Sequence, residues 1–149
     1  MLDSDTHQIR GEPIMNRHIL GAVALGCTSL VAGAALAEGD PAAGERAFRQ
    51  CGACHTLDGQ HRVGPTLQGI FGRQAGTAEG FRYSADIVAA GEAGVVWDSE
   101  NMFTYLEHPT EFLQEATGKD RIQTRMPNRY PDETLRRDII AYLEQEVGG

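Results

Sequence analysis

Beyond residue 37 the sequence predicts an all-α domain of short helices joined by long loops, and three observations carry that prediction. Apolar residues recur at intervals of three and four in four separate segments, the spacing of one helix face. No segment alternates apolar and polar residues as a half-buried strand does. Large apolar side chains are few for a domain of 112 residues, so a core of side chains alone would be marginal.

The first 37 residues are read apart from this domain. From Met15 a short start with Arg17 and His18 leads into an apolar run from Ile19 to Leu36, which ends Ala35-Leu36-Ala37. A basic start, an apolar stretch and a small-x-small ending describe a secretory signal peptide cut after Ala37. The run is rich in Ala and Gly and has no basic flank after it, which argues against a retained membrane helix. Met1–Pro13 carries Asp3, Asp5 and Glu12, charges foreign to a signal start, so translation is expected to begin at Met15. A rival cut exists, because Ala24-Leu25-Gly26-Cys27 resembles a lipoprotein box that would leave Cys27 acylated. The run continues nine residues past Cys27, which favours the later cut.

Residues 38–149 keep 18 of the 21 acidic and 11 of the 13 basic residues, a formal charge of −7. Such a balance repels nucleic acid and anionic lipid. Lys119 is the one lysine among those bases, so a patch that steers partners would be acidic or built from arginine.

Each element follows from local signals. Asp40-Pro41 reads as an N-cap with proline at the first helical position. Gly44, Ala47, Phe48 and Cys51 then share one helix face. From Thr56 to Gly80 there are six glycines and Pro65 with little periodicity, a long loop that needs something to pack against. A short helix from Ser84 to Ala90 is expected to stop at Gly91. Asp98 or Ser99 caps the next, whose face is Met102, Tyr105 and Leu106 and which Pro109 ends. Residues 110–130 read as irregular, with Gly118, Pro127 and Pro131 as breakers. Asp132 caps the last helix, with Leu135, Ile139, Tyr142 and Leu143 along its apolar stripe. Four helices around two long loops leave room for a large apolar cofactor to complete the core.

Cys51 and Cys54 are the two cysteines of the domain, in the string Cys51-Gly52-Ala53-Cys54-His55. Cys-x-x-Cys-His is an attachment sequence for c-type haem. Two cysteines three apart fall on one side of a helical turn, where their sulfurs reach two vinyl groups on one porphyrin edge. The histidine that follows then projects under the iron as an axial ligand. A thioredoxin-like pair would need a preceding strand and a βαβ context, and here an amphipathic helix precedes it. A zinc site needs four ligands, and the domain has no third cysteine. A plain disulfide remains the other rival in an exported chain.

Taken together, these stretches resemble the class I cytochromes c, the small soluble bacterial and mitochondrial type. Gly44-x-x-x-Phe48 is similar to that family's N-terminal helix. Gly64-Pro65-Thr66-Leu67 through Phe71-Gly72-Arg73 is similar to its haem-edge loop, and Trp97 with Tyr105-Leu106 and Pro109 to a further signature. Ile139-Ile140-Ala141-Tyr142-Leu143 resembles its C-terminal helix. The likeness runs from about Asp40 to Glu144. It implies a class I cytochrome c fold with the first and last helices crossing at Gly44, Phe48 and Tyr142, around one covalent haem c.

The resemblance also implies roles. A metal-bound histidine usually donates its other ring N–H to an oriented acceptor, which in this family is the carbonyl of the loop proline, here Pro65. Arg73, Tyr83 and Trp97 match positions that hold the haem propionates, where buried donors suit carboxylates; as plain core aromatics, Tyr83 and Trp97 would need no such role. Met126, in Thr124-Arg125-Met126-Pro127, matches the axial methionine. Met102 sits on a helix face where methionine more often fills core, and His61 and His108 are the alternatives for a bis-histidine iron. Two departures stand out: the stretch from Pro109 to Met126 is longer than in the mitochondrial proteins, and Asn128 stands where they carry an aromatic, with Tyr130 a candidate substitute.

The implied activity is one-electron transfer through a His–Met haem, not catalysis. The expected partners are periplasmic redox proteins: an oxidase, a reductase, a dehydrogenase or a photosynthetic complex. A monomeric, soluble, periplasmic shuttle is the leading expectation. The rivals are a cytochrome subunit bound to one dehydrogenase, with residues 110–125 as its docking loop, and a haem enzyme or ligand binder. A single haem motif near the N-terminus of the domain argues against the last.

Overall fold

The computed structural model describes residues 39–148. The expected start at Met15, the cut after Ala37 and the acylation of Cys27 fall outside the described residues. Those residues form α1 (Pro41–Phe48), α2 (Ala85–Glu92), α3 (Ser99–Glu107), α4 (Pro109–Thr117) and α5 (Glu133–Val147), with a 3-10 turn at Cys51–Ala53. Among the described residues there is no strand, only a bridge between Gln74 and Val96.

Three helices begin at the aspartates that the sequence marks. Asp40 accepts from Ala42 N–H (2.9 Å), Asp98 from Asn101 N–H (2.7 Å) and Asp132 from Leu135 N–H (2.9 Å). Each such cap stabilises its helix by about 1 kcal/mol. Ser84 occupies the cap position of α2 without a side-chain capping bond.

Two expectations are corrected. Residues 110–117 are helical, not irregular, so the domain has five helices where four are expected. Pro109 does end α3, but it also opens α4 at the position where a proline's missing N–H costs nothing. His108 is the hinge between the two, and Gly118 closes α4 in the left-handed region at φ 68°. Phe112 and Leu113 of α4 are buried, so the long stretch before Met126 is in large part packed core. The second correction is Gly91, which does not stop α2. The helix runs on to Glu92, and Gly91 lies so close to the backbone of Ala75 that a Cβ would collide with its carbonyl.

The most extensive helix contact is between α1 and α5. It forms where expected. A Cβ on Gly44 would overlap the Asp138 carbonyl and come within 2.7 Å of Tyr142 Cβ, so a side chain would force the helices apart. Phe48 and Tyr142 meet across the crossing with ring centroids 5.4 Å apart, and the Asp138 carboxylate accepts from Asp40 N–H (2.7 Å).

The 54–84 segment is tied down by its own backbone and by residues before α3. Gly64 N–H donates to Cys54 O and Leu67 N–H to Thr56 O, both at 2.8 Å. Trp97 exchanges bonds with Arg73 O (2.9 Å) and Gly72 N–H (2.8 Å). These ties set the indole against Tyr105 and Phe112, with centroids 5.0 and 6.1 Å away.

Candidate cofactor site

A cleft with about 1280 Å³ of empty space, part of it open to solvent, is framed by the 3-10 turn, the 54–84 segment, α3, α5 and the loop before α5. Its walls are mainly apolar, with Leu67, Ile70, Met102, Leu106, Ile139 and Leu143 among them.

The 3-10 turn sets the chemistry of one side. Cys54 N–H (3.0 Å) and His55 N–H (2.9 Å) both donate to Cys51 O, and this tight fold brings both cysteines to the cleft. The two sulfurs are not joined as a disulfide. Burial pushes the Cys51 thiol pKa up.

His55 follows at once. Its Nδ1 lies 2.8 Å from Pro65 O. A carbonyl only accepts, so Nδ1 carries the proton and Nε2 keeps its lone pair. Burial lowers the imidazole pKa, with the Pro65 contact opposing, which favours the neutral ring that ligates metals. Gly64 lies against the ring: a Cβ there would stand 2.5 Å from Cε1 and 2.8 Å from Nδ1.

Seven of the eight residues singled out in the sequence line this cleft: Cys51, Cys54, His55, Pro65, Tyr83, Trp97 and Met126. Arg73 does not. Its guanidinium donates to Thr66 O (3.0 Å) and Gln68 O (3.1 Å), and so braces the loop behind the cleft. Trp97 is buried and Tyr83 half-buried, its phenol pKa raised by desolvation against the opposing field of Arg73. Met126 is half-buried in a loop where Thr124 Oγ accepts from its N–H (3.1 Å) and donates to its carbonyl (3.2 Å).

The alternatives to Met126 sit elsewhere or serve other ends. Thr66 N–H donates to His61 Nδ1 (3.1 Å), which leaves Nε2–H to donate to Glu79 O (2.7 Å). His108 pairs with Glu111 (2.8 Å) outside the cleft. Met102 is buried on α3 and lines the cleft as part of its apolar wall.

Two further tyrosines line the cleft. Tyr105 of α3 faces the cleft beside Thr124, its phenol pKa raised by burial. In the sequence its helix spacing marks it only as core. Tyr130 brings its hydroxyl to 3.8 Å from Cys51 Sγ, and burial first, then Cys51, pushes its pKa up to about 12. It is 5 % exposed, and both it and Asn128 line the cleft. Arg125 is the one ion-forming side chain on the lining besides the two cysteines, the tyrosines and His55; no carboxylate is there.

Two thiols on one turn, a neutral imidazole, a thioether and an apolar slot with phenol and indole groups suit a flat iron porphyrin attached through two sulfurs. Fold and site thus define a monohaem c-type domain. A family profile described as "Cytochrome c" matches residues 41–146, and the chain belongs to that family. It is 46% identical over 116 residues to cytochrome c2 iso-2 of Rhodospirillum centenum, covering 72% of this chain and 96% of that protein. Cytochrome c2 of Rhodopseudomonas palustris is 45% identical over 114 residues, covering 70% and 96%. The solved cytochrome c2 structure from Rhodospirillum centenum superposes with a TM-score of 0.69, covering 72% of this chain and 98% of that one. The protein therefore carries one covalent haem c with its iron and takes part in electron transfer with redox partners.

Proposed function

We propose that the protein is a periplasmic shuttle for single electrons, with the haem iron held between His55 Nε2 and Met126 Sδ. The observation that carries this reading is the His55–Pro65 contact of 2.8 Å. It fixes the ring's tautomer and leaves Nε2 free at a cleft that Met126 also lines. The haem supplies a one-electron ferric–ferrous couple, and a thioether ligand raises its potential by favouring the ferrous state. Cys51 and Cys54 tether the group. Tyr83 and Trp97 would offer donors to the haem propionates, while Arg73 braces the loop through the Thr66 and Gln68 carbonyls. A haem held by both His55 and Met126 would have no open place for a substrate, which suits a carrier and not an enzyme.

Export follows from the segment cut after Ala37, and among the described residues no helix is long and apolar enough to cross a membrane. The protein works as a soluble monomer. Docking takes place at the cleft mouth, where Val63 is 82% exposed. Arg62 reaches Gly52 O (2.8 Å) and Arg125 reaches Arg82 O (3.1 Å) on its rim. An acidic partner fits this mouth in spite of the net negative charge, because the cleft lining carries Arg125 and no carboxylate.

Met126→Ala tests the ligation. The expected result is loss of the low-spin spectrum, a lower midpoint potential and an iron open to added ligands. An unchanged spectrum and potential in the variant would remove Met126 from the iron.

A further inference from the structure

Tyr130 lies four residues beyond Met126 and is held at three points. Its N–H donates to Leu106 O at the end of α3 (2.9 Å). Its carbonyl accepts from Arg136 Nη1 of α5 (2.7 Å). Its hydroxyl stands 3.8 Å from Cys51 Sγ, 79 positions away in the chain. Arg136 is well placed to fix the backbone there. It is 3 % exposed, also donates to Pro131 O (2.9 Å), pairs with Glu107 (3.2 Å) and lies 4.2 Å from the Phe103 ring centroid. With its backbone pinned between α3 and α5, the phenol projects onto the cysteine turn.

The chemistry of the sulfur decides the direction of the contact. In the free chain either the thiol or the phenol can supply the proton. In a thioether the sulfur has none and only accepts, which leaves Tyr130 as the donor. Sulfur is a large, weak acceptor, so the contact is long and its effect is small but local. We propose that Tyr130 is a positioning residue that latches the Met126-bearing loop to the haem-attachment turn by donating a hydrogen bond to the Cys51 sulfur. The proposal rests on Cys51 carrying the haem. It concerns how firmly the loop stays closed, and it holds whether or not Met126 is the ligand.

The test compares haem-loaded wild type with Tyr130→Phe, which removes only the hydroxyl. Tyr142→Phe, at the α1–α5 crossing, controls for loss of a tyrosine hydroxyl elsewhere. Two quantities are read: amide hydrogen exchange over residues 119–131, and imidazole affinity of the ferric protein. In Tyr130→Phe the loop amides should exchange about two- to five-fold faster, with imidazole bound tighter by a similar factor. The control should match wild type in both. Unchanged loop exchange in Tyr130→Phe overturns the latch. So does exchange that quickens equally in α1, α5 and the loop, since that reports a general loss of stability. Faster loop exchange with unchanged imidazole affinity supports the latch and counts instead against Met126 as the ligand that imidazole displaces.

Discussion

On the cysteine side of the cleft the backbone ties itself down, whereas on the methionine side it is tied by side chains from elsewhere. Between Cys54 and Gln68 the carbonyls of Cys54, Thr56 and Pro65 each take a bond from within the segment, and Thr66 Oγ accepts from Gly59 and Gln68. Between Lys119 and Asp132, Tyr130 N–H makes the one backbone-to-backbone bond outside helices. Apart from Thr124, whose hydroxyl bonds Met126 N–H and O, the rest is borrowed: Arg136 to Tyr130 and Pro131, Asp86 to Gln123, Gln114 to Asp120. A loop held by borrowed contacts opens at lower free energy than one held by its own ladder. The difference leaves the cysteine and histidine turn fixed by its own segment, while the Met126 loop depends on residues of α2, α3, α4 and α5.

The largest break in this comparison should come from Arg136→Met. The substitution removes the guanidinium, and with it both bonds to the Tyr130 and Pro131 carbonyls, the pair with Glu107 and the cation over Phe103. Hydrogen bonds from a charged donor contribute about 1.5–3 kcal/mol each, so a loss of about 3 kcal/mol is expected. Denaturant unfolding of the haem-loaded protein measures it. A loss under about 1 kcal/mol would mean that the loop does not depend on this arginine.

Gly64→Ala probes the other side, with an expected cost of about 2 kcal/mol from overpacking. Its Cβ would press on the His55 ring and tilt it away from Pro65. The optical spectrum should therefore change along with stability. Gly69→Ala is the companion, because Gly69 has φ 60° with open space around it. Backbone strain alone should cost it about 1 kcal/mol and leave the spectrum as it was. If both variants behave alike, the close approach of Gly64 to His55 has no special part in holding the ring.

Much of this was legible in the sequence, and the reasons differ by residue. The Cys51–His55 string and the aspartate caps depend on short spacing or on one residue type, which a sequence displays, whereas the Gly44–Phe48–Tyr142 crossing is legible only through the family resemblance. Helix α4 carried its marks too, a proline at its first position and a glycine past its end. Its apolar face is only two turns long, however, and Pro109 had already been used as a stop. Gly91 misled because a glycine that permits close packing looks the same as one that ends a helix. The position of Arg73 behind the cleft, the approach of Tyr130 to Cys51 and the cleft face of Tyr105 depend on contacts between distant segments. Those contacts leave no local trace.

Asp86 gives the smallest expected effect and the one most specific to the borrowed side. Its carboxylate accepts from Gln123 N–H (2.9 Å) and Lys119 Nζ (2.8 Å). The backbone donor first, then the lysine, hold its pKa below the ordinary carboxylate value. A carboxyl with a depressed folded-state pKa contributes its stability above the unfolded value of 3.8 and loses it as pH falls through the lower folded value. Acidification through that window should therefore loosen Gln123 and its neighbours in wild type before it disturbs the cysteine side. Asp86→Ala should show the loosened loop already at neutral pH, with faster exchange at the Gln123 amide and little further change on acidification. Equal exchange at that amide in the two proteins at neutral pH would show that the loop is held without Asp86. Slower Gln123 exchange would place the restraint in the loop's own backbone and erase the contrast between the two sides.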